Sequence, residues 1–147
     1  MTRRKGLTER WMFAMAAFLC SALLVPAATT GVDSGVFGSW VMMDLENAGM
    51  HIVSTITIHP DRVEVMSRCS FGDKRVEAKA TAPARVTESE IQVTEARNVE
   101  KEYSPGFLQC RASITPMTIN YYLKDGKLVL TDPGSAQTQE LNRAYGK

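Results

Sequence analysis

Arg62-Val63-Glu64-Val65-Met66-Ser67-Arg68-Cys69 alternates without a break. Val63, Val65, Ser67 and Cys69 fall on one face, and Arg62, Glu64, Met66 and Arg68 on the other. Period two with one polar face is the pattern of a half-buried antiparallel strand. Just beyond it, Gly72-Asp73-Lys74 predicts a hairpin. Val76, Ala78 and Ala80 then alternate with Arg75, Glu77, Lys79 and Thr81 until Pro83, which ends the strand in this reading. Two paired strands of this kind set the class as all-β.

The same signal extends in both directions. Upstream, Val36 to Met43 is a first strand and His51 to Ile58 a second, with Ile52, Ser54, Ile56 and Ile58 on one face. Downstream, Ile91 and Val93 open a strand that can run to Tyr103 with a bulge near Asn98. Leu108, Cys110, Ala112 and Ile114 alternate, and Ile119, Tyr121 and Leu123 follow with shifted parity. Asp125-Gly126 is a strong hairpin signal before Leu128-Val129-Leu130, and Gln137 to Ala144 is the last strand. Beyond residue 35, only Glu88 to Lys101 fits a helix as well as a strand. Strands joined by short turns make a meander, and closure into an up-and-down barrel removes its exposed edges. The count is eight if Pro116 is a bulge within one bent strand, and nine if it lies in a turn. Antiparallel closure needs an even number, so a barrel of about eight strands over residues 36–147 is predicted. A two-sheet sandwich is the competing architecture.

The first 27 residues read differently. Arg3, Arg4, Lys5 and Arg10 precede an apolar run from Trp11 to Val25, of about 15 residues, which suits a signal peptide and is short for a membrane span. Val25 and Ala27 fit the small-residue rule, so cleavage is expected after Ala27, leaving residues 28–35 as a linker. An uncleaved N-terminal anchor is the alternative. Cys20 lies inside the apolar run, where a lipid-attachment site does not fit. The mature domain is then exported, periplasmic or extracellular, and not membrane-embedded. Loss of Arg3, Arg4, Lys5, Arg10 and Glu9 takes the net charge from +1 to −2. No basic run survives to bind nucleic acid. Of three cysteines, Cys69 and Cys110 remain. An even count in an exported chain predicts one disulfide, with two buried free thiols as the alternative. In an eight-stranded meander the two cysteines fall at one end, on the inward face, so the bridge is expected across a barrel mouth.

Gly38-Ser39-Trp40 resembles the Gly-X-Trp motif that opens the first strand of lipocalins and their calycin relatives. The resemblance implies that Trp40 closes one end of the barrel and that Arg143, near the end of the last strand, packs across it. The mature chain is short for a lipocalin and lacks a helix before its last strand, so a compact bacterial lipocalin-like domain fits better.

Little in the chain points to chemistry. His51 and His59 lie eight residues apart on one strand, roughly 26 Å, too far to share a metal. Met42, Met43, Met50 and His51 include soft ligands for copper but read more simply as core or rim packing. No zinc spacing, nucleophile elbow or phosphate loop is found. Glu88, Glu90, Glu95, Glu100 and Glu102 read as a solvated face. No cofactor, no metal and no enzymatic activity are expected. Two function classes remain. The first is a binding module that holds an apolar or amphipathic small molecule, entering by the mouth opposite Trp40. Small inward residues leave room, so Ser54, Ser67, Ala80, Ala112 and Tyr121 are the expected lining, unless Trp40, Ile56 and Tyr121 fill that space. The second is a protein-binding module, such as a lysozyme or protease inhibitor, that uses the Tyr103-Ser104-Pro105-Gly106-Phe107 turn.

Overall fold

The computed structural model describes residues 31–102 and 109–145. The expected signal segment and the Tyr103–Phe107 turn lie outside these residues. A short 3-10 turn, Ser34–Val36, leads into ten strands. They are β1 Gly38–Asn47, β2 Met50–Ile58, β3 Arg62–Phe71, β4 Lys74–Val86 and β5 Glu90–Val93, then β6 Arg97–Glu102, β7 Gln109–Ile114, β8 Met117–Lys124, β9 Lys127–Thr131 and β10 Thr138–Arg143. Eight of them close an antiparallel barrel in the order β1-β10-β9-β8-β5-β4-β3-β2, while β6 and β7 pair only with each other. This architecture is compatible with a lipocalin-like fold.

The alternation that predicts the strands is the alternation of burial. Val63, Val65, Ser67 and Cys69 are buried along β3, and Ala78, Ala80 and Ala82 along β4, with exposed or half-buried residues between them. A one-residue slip would turn each apolar set to water, so the register is strongly determined.

Four expectations need correction. Val36 belongs to the 3-10 turn, which the Asp33 carboxylate caps by accepting from Gly35 N at 2.8 Å. Pro83 does not end its strand. Ala84 N donates to Asp61 O at 2.9 Å on the β3 side, so the position where Pro83 lacks an N–H faces the other edge, ahead of the first β5 pair at Ala84. A proline is tolerated where no ladder bond is asked of it. The stretch from Ile91 is not one long strand: Thr94–Ala96 separates β5 from β6. Pro116 is no bulge but lies in the connection from β7 to β8. The barrel still has eight strands because β6 and β7 leave it as a pair. β5 joins β8 directly, from Val93↔Met117 to Glu90↔Asn120, so the simple meander is interrupted.

The β6–β7 hairpin packs on β3 and β4. Its Cys110, Ala112 and Ile114 are buried while Gln109, Arg111 and Ser113 are exposed. The buried side meets the inward face of the wall, because Cys110 is bonded to the inward Cys69. The Cys110 sulfur also lies 3.4 Å from Ser67 O. Ala78, Ala80 and Ala82 are all within 2 % of full burial, and a wall of such small side chains lets a second layer of backbone come close. The predicted disulfide is present, with Cα atoms 5.8 Å apart. It fastens this hairpin to the inner wall, however, rather than bridging two strands of the ring across a mouth.

Candidate functional site

The two ends of the barrel differ. At one end, Trp40 is buried on β1, and its indole Nε1 donates to Val36 O at 2.9 Å. Arg143 pairs with Trp40 in register and sets its guanidinium carbon 4.0 Å from the centre of the indole ring. Its Nη1 donates to Phe37 O at 2.7 Å, and its Nη2 to Gly35 O. Gly38 sits between them with φ +117°, and a Cβ there would strike the Arg143 guanidinium. Glycine is thus required twice, for the backbone conformation and for the close approach. Together Gly38, Trp40 and Arg143 form a plug that seals this end.

The opposite end is built by the long halves of β1 to β4. Three inward rows cross it: Met43–Ser54–Ser67–Ala78, Leu45–Ile52–Cys69–Val76 and Asn47–Met50–Phe71–Lys74. The hairpin covers the β3–β4 side. On the β1–β2 side Met43, Leu45 and the neighbouring Phe71 are 45, 46 and 43 % exposed. Below them Ser54 and Ser67 are buried and joined Oγ to Oγ at 2.9 Å.

The five expected lining residues are all buried, but they do not form one site. Ser54 and Ser67 touch each other beneath the open rim. Ala80 on β4 and Ala112 on β7 lie in the layer where hairpin meets wall, so at that level the room left by small side chains is taken by the chain itself. Tyr121 is at the sealed end, on the strand that touches the 3-10 turn. Its hydroxyl donates to Thr87 O at 2.5 Å. Burial, with the nearby carboxylates of Asp33 and Glu88, pushes its pKa above the ordinary tyrosine value.

Met43 and Leu45 were hidden from a parity argument, whereas Phe71 follows Cys69 by simple alternation along β3. Counting by twos from Trp40 points Met42 inward and Met43 outward. A bulge between Val41 and Met43 makes Met42 the extra residue and turns Met43 in line with Ser54. The signal was the adjacent pair Met42-Met43 followed by alternating Asp44, Leu45 and Glu46, a change of phase within one strand.

The outer face of the same strands is polar. His51 Nε2 lies 2.6 Å from Asp44 Oδ1, and Arg68 Nε donates to Glu77 at 3.0 Å. His51, Arg68 and Glu77 border a shallow concavity of about 480 Å³ that also includes Val53, Ser70 and Arg75. Farther down, Glu64 receives Lys79 at 2.7 Å and Arg62 at 3.4 Å. The Lys79 ammonium in particular holds its carboxyl below the usual range. His59 Nε2 is buried 3.5 Å from the same carboxylate without hydrogen-bond geometry. No helix among the described residues is long and apolar enough to cross a membrane. The chain matches no protein-family model, no curated protein and no solved structure.

Proposed function

We propose that this protein is an exported, lipocalin-like binding module that holds an apolar or amphipathic small molecule at its open end, without catalysing a reaction on it. The observation that carries the reading is the rim. Met43, Leu45 and Phe71 face inward yet stay substantially exposed, above a buried floor and beside a hairpin that walls off the other half. Neighbouring apolar side chains left exposed and bordered by polar residues favour an apolar guest. Each side chain that the guest covers contributes about 25 cal/mol per Å² of apolar area removed from water. The seat lies above Ser54 and Ser67, not between Ala80 and Ala112. Tyr121, at the sealed end, takes no part. The disulfide supports export, because such bonds persist in oxidising compartments.

Titration with an apolar fluorescent probe such as N-phenylnaphthylamine tests this reading. Wild type is expected to saturate at one probe per chain. Leu45→Lys is expected to weaken binding at least tenfold with an unchanged melting temperature, because Leu45 is half exposed and little of the core depends on it. Ala80→Trp should lower stability by about 1–3 kcal/mol through overpacking against the hairpin. A wild-type protein that takes up no probe at saturating concentration would overturn the reading.

A further inference from the structure

The ring is closed between β1 and β10 over a short distance. The register between them consists of Trp40↔Arg143 and Val41↔Asn142. Beyond Val41, β1 continues to Asn47 while β10 pairs with β9 alone from Thr138 to Leu141. Among the described residues, Met43–Asn47 therefore has β2 on one side and no strand on the other. Gln139 Nε2 donates to Met42 O at 3.1 Å and meets the first of these edge groups. What remains is a row of main-chain donors and acceptors about five residues long, on a strand that alternates Met43, Leu45 and Asn47 with Asp44 and Glu46.

We propose that this edge receives an extended polypeptide by β-strand addition, and that the partner segment alternates apolar with cationic residues. Strand addition draws its affinity from main-chain bonds and its specificity from alternate side chains. Apolar side chains would lie beside Met43 and Leu45, and cations beside Asp44 and Glu46. Directly opposite charges of unlike sign stabilise an antiparallel pair, and like charges destabilise it. The same rule excludes a second copy of this chain. Opposite residues in an antiparallel pair share a face, so a symmetric pairing of β1 with itself can centre only on Asp44, Leu45 or Glu46. Each choice sets a carboxylate against a carboxylate: Asp44 on Asp44, Asp44 on Glu46, or Glu46 on Glu46. The edge is guarded against itself in the manner of natural exposed strands, yet it is open to a basic segment. This inference rests on the strand edge and is independent of the small-molecule reading.

The test uses labelled nine-residue peptides and the oxidised protein. One peptide alternates Val and Lys, one alternates Val and Glu, and one has the Val/Lys composition in two blocks. Fluorescence anisotropy is expected to show the alternating Val/Lys peptide binding at least tenfold tighter than either of the others. Amide exchange should slow at residues 43–47 when it binds. In Asp44→Lys/Glu46→Lys the preference should reverse to the Val/Glu peptide, an outcome that a merely sticky surface would not produce. Equal binding of the blocked and alternating peptides, no slowing of exchange at the edge, or no reversal in the double variant would each overturn the proposal. So would a concentration-dependent dimer of the wild type in sedimentation, with protection at 43–47 in that dimer.

Discussion

Arg143→Ala removes three interactions at the sealed end. The first is the stack on Trp40 at 4.0 Å, worth about 1 kcal/mol in a half-exposed setting. The others are the hydrogen bonds from its guanidinium to Phe37 O and Gly35 O, each about 1.5 kcal/mol net for a charged donor. Both carbonyls then need water, which reaches a partly buried site only in part, and their re-solvation reduces the loss. The expected cost is about 2–4 kcal/mol. In a domain of this size that corresponds to a fall in Tm of roughly 4 °C per kcal/mol. Equilibrium urea unfolding followed by Trp40 fluorescence measures it directly. The midpoint should fall with an unchanged slope, and probe binding at the far rim should persist in the folded variant. Arg143→Lys should recover less than half of the loss, since an ammonium has neither the flat face nor the fork that reaches two carbonyls. A loss below about 0.5 kcal/mol in Arg143→Ala would place the residue among ordinary surface cations and refute the plug.

Gly38→Ala should destabilise by about 2 kcal/mol or more, from positive φ and from the clash with Arg143, and the double variant with Arg143→Ala should cost less than the sum. Replacing both Cys69 and Cys110 by alanine should lower stability by about 4 kcal/mol, the chain-entropy value for a separation of 41 residues, read by denaturant titration against the oxidised protein. Glu64 titrates lower when folded than unfolded, chiefly because of Lys79, so its ion pair stabilises above the unfolded glutamate pKa and is lost as pH falls through the folded value. Stability profiles from pH 6 to pH 2 should thus show a shallower acid-side decline for Glu64→Gln than for wild type; coincident slopes would count against the pairing.

Some of this structure was readable from the chain alone. Val63, Val65, Ser67 and Cys69 announce an inward face because burial on one side of a pleated strand permits no other period. Gly38, Trp40 and Arg143 were legible through the resemblance of Gly38-Ser39-Trp40 to the lipocalin Gly-X-Trp motif, which implies an arginine packed across the tryptophan, and the stack of Arg143 on Trp40 is present. The path of β6 and β7 was not readable in the same way. Cys110, Ala112 and Ile114 alternate in a hairpin laid on a wall just as they would in a strand of the ring, and period two does not say which surface covers the buried face. The small residues Ala78, Ala80 and Ala112 had two meanings, space for a guest or space for the chain's own second layer. Only the arrangement of the hairpin decides between them. Met43 and Leu45 escaped for a local reason, the one-residue bulge at Met42 that reverses the phase of the rest of β1.

The narrow seam between β1 and β10 bears on how the molecule assembles and breathes. β1 to β4 are joined by short turns and can zip up from neighbouring segments, whereas Trp40 and Arg143 must meet from opposite ends of the domain. Loop closure of that length is costly in entropy and little of it is repaid before the last strand docks. The register pairs Trp40↔Arg143 and Val41↔Asn142, one further bond from Ala144 N to Ser39 O at 2.9 Å, and the Arg143 clasp then hold the circle shut. A join with so few rungs separates at less cost than the long β2–β3–β4 ladders, so slow proton exchange should be found in those ladders and the fastest opening at the seam. Opening there leaves β10 on β9 through Thr138–Leu141, so the circle parts into an open sheet with β1 at one edge and β10 at the other.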